Sequence, residues 1–246
     1  MSSKIISLMP EHKCYIEPYF GSGAVFFKKD VNCNNEIIND LDGNVVNLFK
    51  VIRENPNELS KAIKLTPYAR EEYSNIDLNI DEGIEKARRF LVRSNMARGG
   101  VQHYKPGWRT AGLKESISKN RRIVNEWNRL PESILKAAER LKDAEIENTD
   151  AIKLIKRYDD EDCLIYIDPP YLLETRSNKY YSSEMTDLDH IELLETIRGS
   201  KSKIILSGYD SELYRQYLIN WSKYEIESRT ESKNKKIECL WINYNL

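Results

Sequence analysis

The sequence predicts an α/β protein built on a doubly wound, mostly parallel sheet, with a C-terminal β-hairpin and a mainly helical insertion. Three observations point there. Short apolar, β-rich runs alternate with amphipathic stretches at both ends of the chain, the pattern of strand–helix units in a parallel sheet. Beyond Pro67 the β signal disappears for about seventy residues, where the pattern is helical, charged and broken by loops. Two β segments then close the chain with a lysine-rich turn between them.

Each element has its own reason. Residues 13–17 read as a strand, Phe20-Gly-Ser-Gly23 as a tight turn, and 24–29 as the opening of a helix. A second strand over 35–39 ends at Asp40, and the spacing of Val45, Val46, Leu48, Phe49 and Ile52 predicts a helix after it. Pro56 restarts a helix, as a proline in the first turn can. Strand and helix alternation resumes with 144–147, then Asp150 to Arg157, then the apolar run Cys163-Leu-Ile-Tyr-Ile167. A loop over 172–186 leads to a helix capped near Thr186 or Asp187. A strand over 203–207, a short helix from Ser211 to Leu218, and β segments at 221–230 and 236–244 follow, with Lys233 to Lys236 as the hairpin turn. The expected domains are 1–65 with 143–246, and an inserted 66–142.

Composition narrows the class. With 246 residues, 40% hydrophobic and 31% charged, the chain can bury a large core as a globular protein. No apolar run is long enough to cross a bilayer, and Lys4-Ile-Ile-Ser-Leu-Met9 is cut short by Pro10, so no membrane partner and a cytoplasmic location are expected. Cys14, Cys33, Cys163 and Cys239 form no C-x-x-C pair, and His12, His103 and His190 are scattered, so buried free thiols and no metal are expected. The net charge of −1 conceals a segregation: Lys86 to Arg129 holds twelve Lys or Arg against Glu115 and Glu126, a local +10 that leaves −11 elsewhere. Such a block is an electrostatic footprint for a polyanion. It also carries His103, Tyr104, Trp108 and Trp127 beside Gly99-Gly100 and Pro106-Gly107.

The chemistry concentrates in two loops. Asp168-Pro169-Pro170-Tyr171 follows a buried-type strand, where open α/β sheets bind ligands. The prolines hold the backbone extended, which leaves a carboxylate, carbonyls and an aromatic ring able to grip a flat, amino-bearing ring. Gly21 and Gly23 form the first strand–helix turn, and Asp40, nineteen residues after Gly21, suits a ribose diol. Position 26 is Phe where a dinucleotide fingerprint has a third glycine. An adenosine ligand without a pyrophosphate therefore fits better, and S-adenosyl-L-methionine is the expected cofactor.

At these residues the chain resembles the Dam-type (D12 class) DNA adenine-N6 methyltransferases. The resemblance rests on Glu17-Pro-Tyr-Phe-Gly-Ser-Gly-Ala-Val-Phe-Phe27, Asp40 and Asp168-Pro-Pro-Tyr171, supported by Ser207-Gly-Tyr-Asp-Ser-Glu-Leu-Tyr214 and Glu238-Cys-Leu-Trp-Ile-Asn-Tyr244. Their order, cofactor loop before recognition insert before catalytic loop, is that of the alpha group. The resemblance implies a seven-stranded class I methyltransferase sheet. It also implies a cofactor site of Glu17, Pro18, Phe20, Gly21, Gly23, Asp40, Asp150 and Asp168, and a catalytic motif of Asp168, Pro169, Pro170 and Tyr171. The basic insert looks like the family's target-recognition region for double-stranded DNA, with Arg93, Arg98, Lys105, Arg109, Arg121 and Arg122 as the expected contacts. A monomer is expected. Family members begin with a Lys-Trp-x-Gly-Gly-Lys segment around the cofactor's methionine end, whereas Met1-Ser-Ser-Lys4 already stands in the helix after it. A shortened form or a start displaced downstream is therefore expected.

The adenine amine is a poor nucleophile because its lone pair is delocalised. Hydrogen bonds to the Asp168 carboxylate and the Pro169 carbonyl would favour a pyramidal nitrogen, so catalysis would come from placement and preorganised acceptors. Tyr171 would stack on a base flipped from the duplex. Tyr180-Tyr181 and His190 read as packed, structural residues. Two other readings stay open: an N-methyltransferase for RNA or a protein amide, and a methyltransferase-like DNA-binding protein with impaired catalysis.

Overall fold

The computed structural model describes residues 1–98, 107–110, 117–175, 184–229 and 235–246. Among these, the strands are β1 (Cys14–Glu17), β2 (Asn35–Asn39), β3 (Ala144–Glu147), β4 (Cys163–Ile167), β5 (Lys203–Gly208), β6 (Ser222–Arg229) and β7 (Lys235–Ile242). The helices are α1 (Ser2–Ser7), α2 (Gly43–Glu54), α3 (Pro56–Leu65), α4 (Arg70–Ser74), α5 (Ile84–Met96), α6 (Ile117–Leu141), α7 (Ala151–Arg157), α8 (Asp187–Arg198) and α9 (Glu212–Tyr217). By packing, the chain separates into two compact units, one of Met1–Leu41, Asp143–Lys179 and Ser183–Leu246, the other of Asp42–Lys142. The packing boundary lies at Asp42, whereas the loss of β signal lies near residue 66; α2 and α3 are the difference.

The first unit is a seven-stranded α/β sheet in the order β3-β2-β1-β4-β5-β7-β6. β1 pairs in parallel with β2 (Ile16↔Ile37) and with β4 (Ile16↔Ile165), and β4 with β5 (Ile165↔Ile204). β7 runs antiparallel between β5 and β6, closing the sheet with a hairpin. The chain winds outward from β1 through β2 to β3, then returns to the other side of β1 as β4. The strand order therefore reverses between β1 and β4, and ligands of such sheets bind at the carboxyl ends of the strands there.

Alternation along each strand sends side chains to opposite faces. Ile16, Ile37, Ile165, Ile167, Ile204, Leu206 and Trp241 share one face and pack with Leu154 of α7, Leu193, Leu194 and Ile197 of α8, and Tyr214 of α9. Truncating a residue such as Ile165, which is 0% exposed, to Ala costs about 2–5 kcal/mol for a change of that kind. The helix starts are set by side chains: Asp150 accepts from the Lys153 amide before α7, and Thr186 and Asp189 form a reciprocal capping box on α8.

Two expectations change. Residues 24–29 form successive turns, not a regular helix: Phe27 N–H reaches Gly23 O, but Lys28 and Lys29 N–H both go to Val25 O. Gly21 and Gly23, at φ 50° and 64°, spend the entry on left-handed backbone, so no run of helical bonds starts there. In the hairpin, Lys235 and Lys236 belong to β7, opposite Arg229 and Ser228, and not to the turn, while Lys233 lies outside the described residues.

In the second unit, α3 packs on α6 and α2 on α5. Asp42 caps α2 by accepting from the Asn44 amide, and Pro56 sits in the first turn of α3. An aromatic group ties the connecting segments: Tyr68 lies 4.8 Å from Trp108 and 6.4 Å from Trp127 between ring centroids. The Trp127 indole donates to Thr66 O at 2.8 Å.

Candidate active site

Four acids stand at or just past the carboxyl ends of adjacent strands: Asp150 after β3, Asp40 after β2, Glu17 ending β1 and Asp168 after β4. The strand order sets them in that sequence along one edge of the sheet. Asp150 and Asp168 are exposed, Asp40 half-buried and Glu17 buried.

The edge over β1, β2 and β3 is tied by amide groups. The Gly21 N–H donates to Asp40 Oδ2 at 2.8 Å, holding the acid over the glycine turn. At φ 50° Gly21 takes a conformation that disfavours side chains, and a Cβ built there would meet nothing within 4 Å, so this backbone is open to a ligand. Gly23 serves the turn itself, since a Cβ there would come within 2.5 Å of the Phe20 ring. Asn39, 1% exposed, donates from Nδ2 to Pro18 O (2.8 Å) and Thr149 O (3.0 Å) and accepts from Thr149 N–H (2.9 Å). Asn148 Nδ2 donates to Asp40 O at 2.6 Å. Pro18 and Phe20 are buried beneath the turn, Phe20 edge-on to Phe26.

The edge over β4 and β5 is tied by hydroxyls. Tyr15, Glu17, Tyr166, Ile205 and Ser207 occupy the sheet face opposite the α7–α9 core, by alternation from Ile16, Ile165 and Ile204. Ile167 pairs with Leu206, so Asp168 and Ser207 face each other one step on. Ser207 Oγ donates to Asp168 Oδ1 at 2.6 Å. The hydroxyls of Tyr171 and Tyr166 also reach this carboxyl. Although part of Asp168 meets solvent, the surrounding protein desolvates its carboxyl and raises its pKa, while the hydrogen bond from Ser207 and those from the two tyrosines pull it down. Burial drives the Tyr171 phenol far up as well, helped by the Asp168 charge. The Tyr171 ring meets Tyr209 edge to face at 4.8 Å and 77°. Pro169 and Pro170 are buried, which fixes the loop.

Behind this edge lies a buried polar column. Tyr15 donates to Glu17 Oε1 at 2.6 Å, and the Phe26 N–H also reaches that carboxyl. Burial pushes Glu17 up to about 8, with the Asp168 charge adding to the rise against the pull of these hydrogen bonds. Lys29 and Glu36 form an ion pair at 2.6 Å with side chains 2% exposed, and the Lys29 ammonium lies 4.6 Å from the Tyr15 ring centre. His190 is fully buried with Nδ1 3.1 Å from the Tyr214 hydroxyl, a structural position.

In the helical unit, Arg109 and Arg122 converge on Glu126, at 3.1 and 3.2 Å. Arg98 N–H donates to Gly107 O and Arg109 N–H to Met96 O, so the backbones at Arg98 and Arg109 are tied close together. Arg98 and Arg122 are exposed. Arg93 is half-buried, and its charge faces the Tyr73 phenol. Lys105, the side chain of Arg121 and Tyr180-Tyr181 lie outside the described residues. Arg88 and Arg89 are engaged by Glu85, and Arg88 also by Glu72.

Residues 1–234 match the family model of D12 class N6 adenine-specific DNA methyltransferases. The chain belongs to that family. It is also similar to the Type II methyltransferase M1.LlaDCHI of Lactococcus lactis subsp. cremoris, with 28% identity over 264 residues, covering 96% of this chain and 89% of the relative. The methyltransferase is thus an enzyme of the adenine-specific, DNA-directed class. No helix among the described residues is long and apolar enough to cross a membrane, and no group of His, Cys, Asp and Glu among them is arranged to hold a metal ion.

Sequence reasoning on the methyltransferase missed Ser207, Tyr166, Asn39 and Asn148. A signal for the first three existed: each is a polar residue within or ending a strand whose neighbours are apolar, the kind of buried polar group that must find a partner. Asn148 carries no such mark, because its partner is a backbone carbonyl set by the fold.

Proposed function

We propose that the enzyme moves a methyl group from S-adenosyl-L-methionine to N6 of an adenine flipped out of double-stranded DNA. The residues fit this cofactor. A row of acids suits a ligand carrying positive charge, the Asp40 carboxylate over the glycine turn suits a ribose diol, and the open backbone at Gly21 admits close approach. Asp150, exposed at the start of α7, is in reach of the adenine end on this reading. Glu17, Pro18 and Phe20 act from beneath, by shaping the turn. When bound, the cofactor supplies an electrophilic methyl group on a sulfonium centre.

The chain's own residues do the rest. Asp168 and the Pro169 carbonyl accept the two amine hydrogens, which favours a pyramidal nitrogen and aims its lone pair. Burial of Pro169 and Pro170 keeps the acceptors in place before the base arrives, so little reorganisation is needed. Tyr171 stacks on the base, a contact worth about 1–3 kcal/mol in nucleic-acid sites. Flipping costs a few kcal/mol, which phosphate contacts from Arg98, Arg109 and Arg122, together with Arg93, Lys105 and Arg121, help to offset.

The observation that carries this reading is Asp168, partly exposed at the sheet edge beside the strand-order reversal, with its carboxyl held by hydroxyls and the glycine turn after the neighbouring strand. The test is transfer of labelled methyl from S-adenosyl-L-methionine to duplex DNA, RNA and protein, with digestion and mass analysis of the product. N6-methyladenine in duplex DNA, lost by at least about a hundredfold in Asp168→Ala, is expected for removal of a preorganised catalytic contact. Label in protein or RNA alone, or an active Asp168→Ala, would overturn it.

A further inference from the structure

We infer that Ser207 is a positioning residue that sets the Asp168 carboxylate from the sheet side for the incoming amine. The inference rests on the role proposed for Asp168 above. Ser207 follows the buried apolar run Ile204-Ile-Leu206 in β5 and is itself 0% exposed. A buried hydroxyl there needs a partner, and two acceptors are near: Asp168 Oδ1 at 2.6 Å and Ile167 O at 3.4 Å. A serine has one proton to give, and the short contact takes it. The Tyr166 hydroxyl, 3.4 Å from Ser207 Oγ, stands behind as the next member of the chain.

The backbone at this point is held tightly. A Cβ on Gly208 would lie 3.3 Å from Tyr214 and 3.4 Å from Trp241, so the strand end sits hard against two aromatic rings. Ser207 is therefore carried at a fixed height opposite Asp168. The choice of a hydroxyl also suits the task. A lysine or arginine would neutralise the carboxylate, whereas the Ser207 hydroxyl, beside those of Tyr166 and Tyr171, orients it without adding a charge. Desolvation raises the pKa of this carboxyl, and the Ser207 bond is the first of the influences that pull it back down. The titratable groups facing Asp168 are Glu17 of β1, Tyr166 on its own strand, Tyr171 after it and Tyr214 of α9, with Glu238 of β7 beyond Tyr171 and Lys29 beyond Glu17.

The experiment compares the full chain with Ser207→Ala and Ser207→Thr. Single-turnover methyl transfer to duplex DNA is followed across the acid limb of the pH profile, and the Asp168 carboxyl is titrated by carbon NMR. Ser207→Ala should lower the rate at saturating cofactor and DNA by roughly tenfold, less than loss of a direct contact. Its acid limb and the Asp168 titration should both move to higher pH, with cofactor and DNA affinities unchanged. Ser207→Thr, which keeps the hydroxyl, should restore rate and pH profile. An Ala variant with wild-type rate and limb would overturn the inference, as would a Thr variant no better than Ala. The NMR arm separates the two proposals: an enzyme making no N6-methyladenine sinks the role of Asp168, whereas an Asp168 titration unmoved in Ser207→Ala sinks the role of Ser207.

Discussion

At the tips of β1, β2 and β3 the loops are tied by amides, with Asn39 and Asn148 bridging backbone groups and Gly21 N–H holding Asp40. At the tips of β4 and β5 the tie is a hydroxyl on a carboxyl, Ser207 on Asp168, and the buried end of β1 repeats it with Tyr15 on Glu17. The bonds made by Asn39 and Asn148 join groups that do not titrate, so they hold these loops unchanged across the working pH range. The two carboxyls are groups whose proton occupancy depends on surroundings, and burial raises both. One sheet edge thus combines a loop framework tied by amides with two carboxyls held by hydroxyls, Glu17 ending β1 and Asp168 after β4, on either side of the strand-order reversal.

The largest effect is expected on the fixed side. Asn39→Ala strands the Pro18 and Thr149 carbonyls and the Thr149 N–H in a largely buried setting. Each unpaired group costs about 1–3 kcal/mol, so a loss of at least about 3 kcal/mol is expected in denaturant unfolding. That loss should be the same at pH 5 and pH 8; a pH-dependent loss would break the contrast between the edges.

On the tunable side the expected signature is a slope. The Glu17 carboxyl titrates near 8 in the folded protein, above its ordinary value of 4.5. The folded state therefore holds a proton that the unfolded chain has released within this window. Its contribution is full below the unfolded value and is lost as pH rises through about 8. One such proton gives a slope of at most about 1.4 kcal/mol per pH unit. Glu17→Gln should flatten the fall in stability between pH 5 and 8, and an identical fall in both proteins would contradict the burial argument.

The smallest effect belongs to the helical unit, outside the comparison. Arg109 and Arg122 already share Glu126, so their removal costs the fold little, since exposed pairs are worth about 0–1 kcal/mol. Replacing both by Ala should weaken duplex DNA binding several-fold. It should also reduce the slope of log affinity against log salt by about 2, one phosphate contact for each. An unaltered slope moves the DNA footprint elsewhere.

The sheet was legible because its strands are short apolar runs with a period of two, punctuated by Gly21, Asp40 and Pro169. The cap at Thr186 was legible for the same local reason. The turns at 24–29 escaped because local apolar spacing looks helical whether or not a glycine entry permits helical bonds. Lys29 escaped with them: a lysine reads as a surface residue, yet it is 5% exposed and paired with Glu36 from the next strand. Among the candidate site residues, Asp40 and Asp168 follow from their place at strand ends. The Ser207–Asp168 contact depends on the register of β4 against β5, which no single segment of sequence encodes.

The division of labour along the sheet edge is tested most directly by one paired measurement: cofactor affinity and single-turnover transfer rate in Asp40→Ala and Asp168→Ala. Asp40→Ala should lose at least about tenfold in affinity for S-adenosyl-L-methionine and keep most of its rate at saturation, as loss of uniform binding does. Asp168→Ala should lose far more in rate than in affinity. Equal losses of affinity in both variants, with the rate per bound cofactor intact, would contradict the account.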